Sequence, residues 1–182
     1  MAHIKKLNFL KNHKDLVDEN YGMVAVPTFS DKMDKDLAEL FKSQNKTGKV
    51  GDLVFEIDNN SRIVYYGLGD SSDKAAENFR RAAGEVVGYA LQHKYSDIAV
   101  ECPVSNEGDY FCQAFAEGLI LSSYRFLDYF TDDRGKYHLQ SITMVDACNQ
   151  DAAKKGTIIA SAVCDSRAVS YTHLTLPTIL LV

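Results

Sequence analysis

The chain has 182 residues, of which 46% are hydrophobic and 25% are charged, and its net charge is −5. This length fits one domain with a self-sufficient hydrophobic core, and the composition is that of an ordinary soluble globular protein. Lysine and arginine are scattered in short pairs, which makes nucleic acid an unlikely partner because such binders concentrate positive charge. The first residues contain no long apolar run and no small-residue cleavage site, which favours a cytoplasmic location over secretion.

The first half of the chain is predicted to contain four strands and one helix. The helix covers about 31–46, where apolar residues recur at helical spacing and Ser30 offers an N-cap. Two asparagines between the third and fourth strands suit a tight hairpin turn. The four strands are predicted at 3–10, 22–29, 52–58 and 62–69.

The second half alternates helices with strands. A long helix over 71–94 carries one apolar stripe, and Ser71, Ser72 and Asp73 are its predicted caps. The remaining predicted elements are a strand at 97–104, a helix at 107–126, a strand ending at 145 and a helix at 149–168. This order predicts an α/β fold, a three-layer sandwich in which helices cover both faces of a mixed sheet of five or six strands.

The stretch YYGLGDSSD is the most suggestive candidate site. Glycines between a strand and a helix let a backbone approach closely, and the N–H groups of a helix start favour anions. An anion-binding turn that holds a phosphate or nucleotide would therefore use Gly67, Gly69, Ser71 and Ser72. The dinucleotide fingerprint is incomplete, because Ser72 occupies the place of its third glycine, and glycines that serve only turn geometry are the alternative.

Other candidates for chemistry are two acidic clusters, at 31–36 and 128–135, and four cysteines. The clusters are predicted to be solvated surface, since they lack the ligand pattern of a calcium loop. The cysteines lack the spacing of a zinc site and are predicted to be small buried residues in a reducing compartment. No nucleophile elbow or activated histidine is recognisable, so the residues predict neither a catalytic site nor a metal site.

Three motifs carry a resemblance to a known family: Gly67-Leu68-Gly69, Arg81-Ala82-Ala83-Gly84, and Glu117-Gly118-Leu119 followed by Ser123-Tyr124-Arg125-Phe126. With residues 156–168, they resemble the N-terminal domain of the leucyl aminopeptidase (cytosol aminopeptidase) family. The resemblance implies a macro-domain-like fold for residues 1–168. It also implies a parent enzyme, a hexamer in the family, that removes N-terminal residues, especially leucine, from peptides with two divalent metals, zinc or manganese. The family's catalytic and metal-binding residues lie in a C-terminal domain that is missing here, so none can be assigned to this chain.

Residues 169–182 differ in character, because no Asp, Glu, Lys or Arg occurs from Ala168 onward. The string VSYTHLTLPTILLV resembles the translated read-through of a sequencing-library adapter and is too short to span a bilayer. We expect a non-native, disordered tail, preceded by a helix whose apolar stripe (Ala153, Ile158, Ala162, Val163) is partly exposed. The expected function is that of an inactive N-terminal fragment of a metalloaminopeptidase. A phosphate- or nucleotide-binding module at the Gly67–Ser72 turn and a domain that serves only assembly are the alternatives.

Overall fold

A computed structural model describes residues 3–11, 21–58, 61–73, 75–103, 109–125, 127, 138–147 and 149–179. These ranges contain six strands and four helices in the order that the sequence predicts. The strands are β1 (Asn8–Leu10), β2 (Met23–Thr28), β3 (Leu53–Asp58), β4 (Ser61–Gly67), β5 (Asp97–Glu101) and β6 (Ser141–Val145). The helices are α1 (Lys35–Ser43), α2 (Ala76–Gln92), α3 (Asp109–Ser123) and α4 (Gln150–Ile179).

The strands form one mixed sheet in the order β1-β6-β5-β2-β4-β3. All neighbours pair in parallel except β3 and β4, which form the antiparallel hairpin expected around the two asparagines. The central strands β2, β5 and β6 are largely buried, as is usual for parallel strands, whose sheets are normally covered on both faces. The inward residues of the sheet, among them Met23, Ala25, Val64, Ile98, Val100, Ile142 and Met144, form the floor of the core.

Helices cover both faces of this sheet, which confirms the predicted α/β sandwich. On one face α3 packs between α2 and α4, and the side chains of these helices complete the main core. On the other face α1 lies beside β3 and β4, where Leu37 and Leu40 share a cleft with Glu56 and Tyr65.

The starts of α1 and α2 differ from the prediction, because another side chain caps α1 and no side chain caps α2. Asp34 caps α1 by accepting a hydrogen bond from the Leu37 N–H at 2.8 Å, whereas Ser30 lies outside the helix. The N-cap of α2 is Ala75, which makes no side-chain cap, so the predicted role of Ser71, Ser72 and Asp73 is wrong. Both serines bind neighbouring aspartates instead.

Helix α4 is longer than the sequence predicts. It ends at Ile179, whereas the predicted helix ends near residue 168 and the segment after it was expected to be disordered. Extension needs no new packing partner, since a formed helix adds one hydrogen bond for each further residue that it fixes. Among the described side chains of α4, those after Cys164 are exposed or half-buried. Over the part of the chain that the structure describes, no helix is both long and apolar enough to cross a membrane.

Candidate functional site

The Gly67–Ser72 turn follows β4 and is covered by the loop at 48–52. A Cβ at Gly67 would lie 2.3 Å from the Lys49 carbonyl oxygen, so only glycine lets that loop approach. Gly69 has a φ of +79°, a conformation that glycine adopts without strain. Both glycines therefore have structural roles that require no ligand.

Most N–H groups of this turn donate to other parts of the protein. The N–H groups of Gly67, Leu68 and Gly69 donate to the carbonyl oxygens of Asp52, Thr28 and Gly48, respectively. Ser71 donates from its N–H and its hydroxyl to the carboxylate of Asp31, and Ser72 donates from both groups to that of Asp70. Two carboxylates thus occupy the donors that an anionic ligand would need.

Charge and helix placement also limit the turn as an anion site. The hydrogen bonds from the Ser71 hydroxyl and N–H lower the pKa of Asp31, which keeps this carboxylate negatively charged beside the turn. The helix α2 begins only at Ala76, after Ser72 and Asp73. The turn and the helix start are therefore separate features, whereas the sequence analysis placed them together.

A neighbouring carboxylate organises the loop that covers Gly67. Asp52 accepts hydrogen bonds from the N–H groups of Thr47, Gly48 and Lys49 at 3.0–3.1 Å, and Lys46 lies 3.3 Å away. Burial by itself raises the pKa of Asp52, but the Thr47 N–H and the lysine outweigh it, and the net shift is downward. The ionised form of Asp52 therefore holds the loop.

The motif Glu117-Gly118-Leu119 lies in the middle of α3, where its acidic residue forms a largely buried ion pair. Arg80 of α2 donates a hydrogen bond from Nε to Glu117 Oε2 at 2.8 Å, and its Nη2 lies 2.8 Å from the same oxygen. Gln113 donates to the other carboxylate oxygen at 2.7 Å. No local pattern predicts this pair, since its members are 37 residues apart in sequence and only an acidic residue in an apolar helix hints at it.

Two glycines allow the three helices to pack closely. A Cβ at Gly118 would lie 2.5 Å from the Arg80 carbonyl oxygen of α2. A Cβ at Gly156 would lie 2.4 Å from the Gln113 carbonyl oxygen of α3. Backbone atoms cannot move aside as a flexible side chain can, so α3 fits between its neighbours only with glycine at both positions.

The end of the same motif holds the amino-terminal segment. The Ser123 hydroxyl is buried, accepts a hydrogen bond from the Ile4 N–H at 3.0 Å and donates to the Ile120 carbonyl oxygen at 2.7 Å. The ring of Tyr124 lies against that of His3. Phe126, the last residue of the motif, lies outside the described residues.

Helix α4 has two apolar faces, not the single stripe that the sequence predicts. Ala153 is fully buried against α3, together with Ala152, Ala160 and Cys164. The exposed face contains Ile158, at 70%, with Ala162 and Val169, whereas Ile159 and Val163, at 41% and 40%, lie at its border with the buried face. Ala153 and Ile158 are five residues apart and so point in directions about 140° apart, which separates them between the two faces.

The acidic clusters and the cysteines were the other candidates for chemistry, and the members that the structure describes have structural roles or are buried. In the first acidic cluster, Asp34 caps α1 and Asp31 binds Ser71, while the second cluster lies outside the described residues. Cys102, Cys112 and Cys164 are buried, and Cys148 lies outside the described residues. Within the described ranges, no three histidine, cysteine, aspartate or glutamate side chains are grouped to hold a metal ion.

The fold matches parts of several solved structures. A mutant of tomato leucine aminopeptidase superposes with a TM-score of 0.70 at 17% identity, covering 88% of this chain and 36% of that one. The bottromycin maturation enzyme BotP superposes with a TM-score of 0.67 at 20% identity, covering 80% of this chain and 31% of that one. BotP in complex with Mn gives 0.65 at 20% identity, covering 80% and 30%. No curated protein sequence matches the chain.

The fold is an α/β domain that matches part of the tomato leucine aminopeptidase mutant. A family model described as "Cytosol aminopeptidase family, N-terminal domain" matches residues 17–133. The chain belongs to the cytosol aminopeptidase family, and the matched part is its N-terminal domain. It spans about a third of the length of the solved structures that it resembles.

Proposed function

We propose that the chain is the non-catalytic N-terminal domain of a metal-dependent leucyl aminopeptidase, and that α4 leads toward the catalytic domain. The observation that carries the proposal is the exposed apolar face of α4, where Ile158 is 70% exposed. Monomeric domains rarely leave such a stripe uncovered without a partner. Burial of each large apolar side chain contributes roughly 1.5–3 kcal/mol, so a docked domain would gain substantially from this face.

The chemistry of the parent would lie outside this chain. The described residues do not offer a ligand set for the two divalent metals, zinc or manganese, and we assign no catalytic step to them. Under this proposal residues 1–168 supply a folded platform, and residues 169–182 are a non-native tail. The parent would be a cytoplasmic homo-oligomer that removes N-terminal residues from peptides.

Sequencing of the source locus past the codon for Ala168 tests the proposal. The expected result is a reading frame that departs from VSYTHLTLPTILLV and encodes a second domain with lysine and carboxylate metal ligands. A locus that encodes residues 169–182 and then a stop codon would contradict the proposal.

The exposed face of α4 can be tested in the chain itself. We expect the 182-residue chain to self-associate through this face, and the double variant Ile158→Lys with Ala162→Lys to shift the sedimentation coefficient toward that of a monomer. The control is Arg167→Glu, which changes a charge at an exposed position of the same helix about 180° from Ile158. Equal self-association in all three proteins would remove the support that this face gives.

The alternative is a ligand-binding module that holds a phosphate or nucleotide at Gly67, Gly69, Ser71 and Ser72. It requires the carboxylates of Asp31 and Asp70 to leave the serines that they now bind. Calorimetric titration with phosphate and with ADP separates the two proposals. Saturable heat that is lost in Ser71→Ala would favour the ligand-binding module.

A further inference from the structure

Two buried cysteines lie side by side where the end of β5 meets the first turn of α3. Cys102 directly follows β5 and Cys112 is the fourth residue of α3, and their Sγ atoms are 4.0 Å apart. Both residues are only about 1% exposed. A disulfide requires sulfurs about 2.0 Å apart, so the two sulfur atoms must approach by about 2 Å for the bond to form.

We propose that Cys102 and Cys112 form a reversible disulfide under oxidising conditions and that this bond loosens the start of α4. The coupling passes through Asn149. The Cys112 thiol donates to the Asn149 carbonyl oxygen at 3.2 Å. Formation of the disulfide removes the thiol hydrogen, and this donor is lost.

Asn149 is the residue that organises the first turn of α4. Its side-chain oxygen accepts hydrogen bonds from the N–H groups of Asp151 at 2.9 Å and Ala152 at 3.0 Å. Its carbonyl oxygen also accepts from the Ala153 N–H, and its side-chain amide donates to Asp109 of α3. A change at Cys112 therefore reaches the helix that carries the exposed apolar face.

The chemistry requires one peroxide per disulfide. One thiolate attacks a peroxide oxygen, the O–O bond breaks, and a sulfenic acid and one water result. The second thiol attacks the sulfenic sulfur, forms the S–S bond and releases the second water. Two thiols and one hydrogen peroxide thus give one disulfide and two waters. Burial limits access of the peroxide, so the reaction will be slow in the folded protein.

The full chain, treated with hydrogen peroxide under native conditions and then denatured and alkylated, tests the bond. A single tryptic peptide, residues 95–125, contains both cysteines because no Lys or Arg occurs between Lys94 and Arg125. We expect this peptide to lose about 2 Da, to escape alkylation, and to stay joined after cleavage at Glu107 until a reductant is added. The Cys164→Ser variant should behave identically, whereas Cys112→Ser should lose the bond.

Amide hydrogen exchange tests the coupling to α4. We expect the N–H groups of Asp151, Ala152 and Ala153 to exchange several-fold faster in the oxidised protein than in the reduced one. Full alkylation of Cys102 and Cys112 after prolonged oxidation, or pairing of either with Cys148 or Cys164, would overturn the disulfide. Unchanged exchange in a protein that carries the disulfide would overturn the coupling.

Discussion

At the scale of single residues, glycines set how closely the helices approach. Gly118 faces the backbone of α2 at Arg80, whereas a Cβ at Gly88, within α2 itself, would meet nothing within 4 Å. We expect Gly118→Ala to destabilise the fold by about 1–3 kcal/mol through steric overlap. The matched control Gly88→Ala should stabilise it by about 0.5–1 kcal/mol, since alanine favours the helix. Urea unfolding of both variants measures this, and equal effects would contradict the packing described for α3.

The ion pair between Arg80 and Glu117 links α2 to α3. Removal of the arginine leaves a largely buried carboxylate with only Gln113 as its donor. We expect Arg80→Ala to lower the free energy of unfolding by about 3 kcal/mol. The exposed neighbour Arg81→Ala should change it by no more than about 0.5 kcal/mol. Thermal unfolding compares the two variants, and a loss in Arg80→Ala as small as that in Arg81→Ala would show that the pair is not structural.

The pH dependence of stability should reflect Asp52. The pKa of its carboxyl is lowered in the folded state, so the unfolded state binds more protons in acid. Its contribution is therefore present above the ordinary aspartate pKa of 3.8 and is lost as the pH falls through the lower folded value. We expect Asp52→Asn to be less stable at neutral pH and to lose less stability between about pH 5 and pH 2 than the wild type. The control is Asp36→Asn, an exposed position in α1. If the wild type and Asp52→Asn lost the same free energy of unfolding between about pH 5 and pH 2, this role of Asp52 would be contradicted.

At the scale of elements, α4 shows what a sequence pattern leaves open. The helical spacing of Ala153, Ile158, Ala162 and Val163 identified an amphipathic helix, and residues 150–168 are helical. The pattern could not show that α3 covers one apolar face and leaves the other exposed, because periodicity marks apolar positions without naming what packs on them. For the same reason, the exposed Ile159 and Val169 did not stand out.

The end of α4 yields a prediction about residues 169–182. Cys164 is the last fully buried side chain among those that the structure describes in α4, and those from Asp165 to Ser170 are exposed or half-buried. We expect deletion of 169–182 to change the free energy of unfolding by no more than about 0.5 kcal/mol. A loss of several kcal/mol in thermal unfolding would mean that the tail is a packed native element.

At the scale of the whole molecule, the order of elements could be predicted, whereas the contacts at the candidate turn could not. Strand and helix periodicity predicts, in the correct order, the ten elements that the structure describes, because each pattern is local. Asp31, which occupies the donors of Ser71, lies 40 residues away in sequence, and no local pattern reveals that contact. The sequence therefore predicts an open anion site, whereas in the fold the carboxylate of Asp31 already binds Ser71 there.

Under the proposed function, this chain is a non-catalytic domain of an aminopeptidase. The most direct measurement is the release of the chromogenic group from a leucine amide by the purified 182-residue chain, with zinc or manganese added. We expect no release above that of the metal alone, since the proposed function places the catalytic residues in a domain outside this chain. Metal-dependent release that is lost on chelation would contradict it.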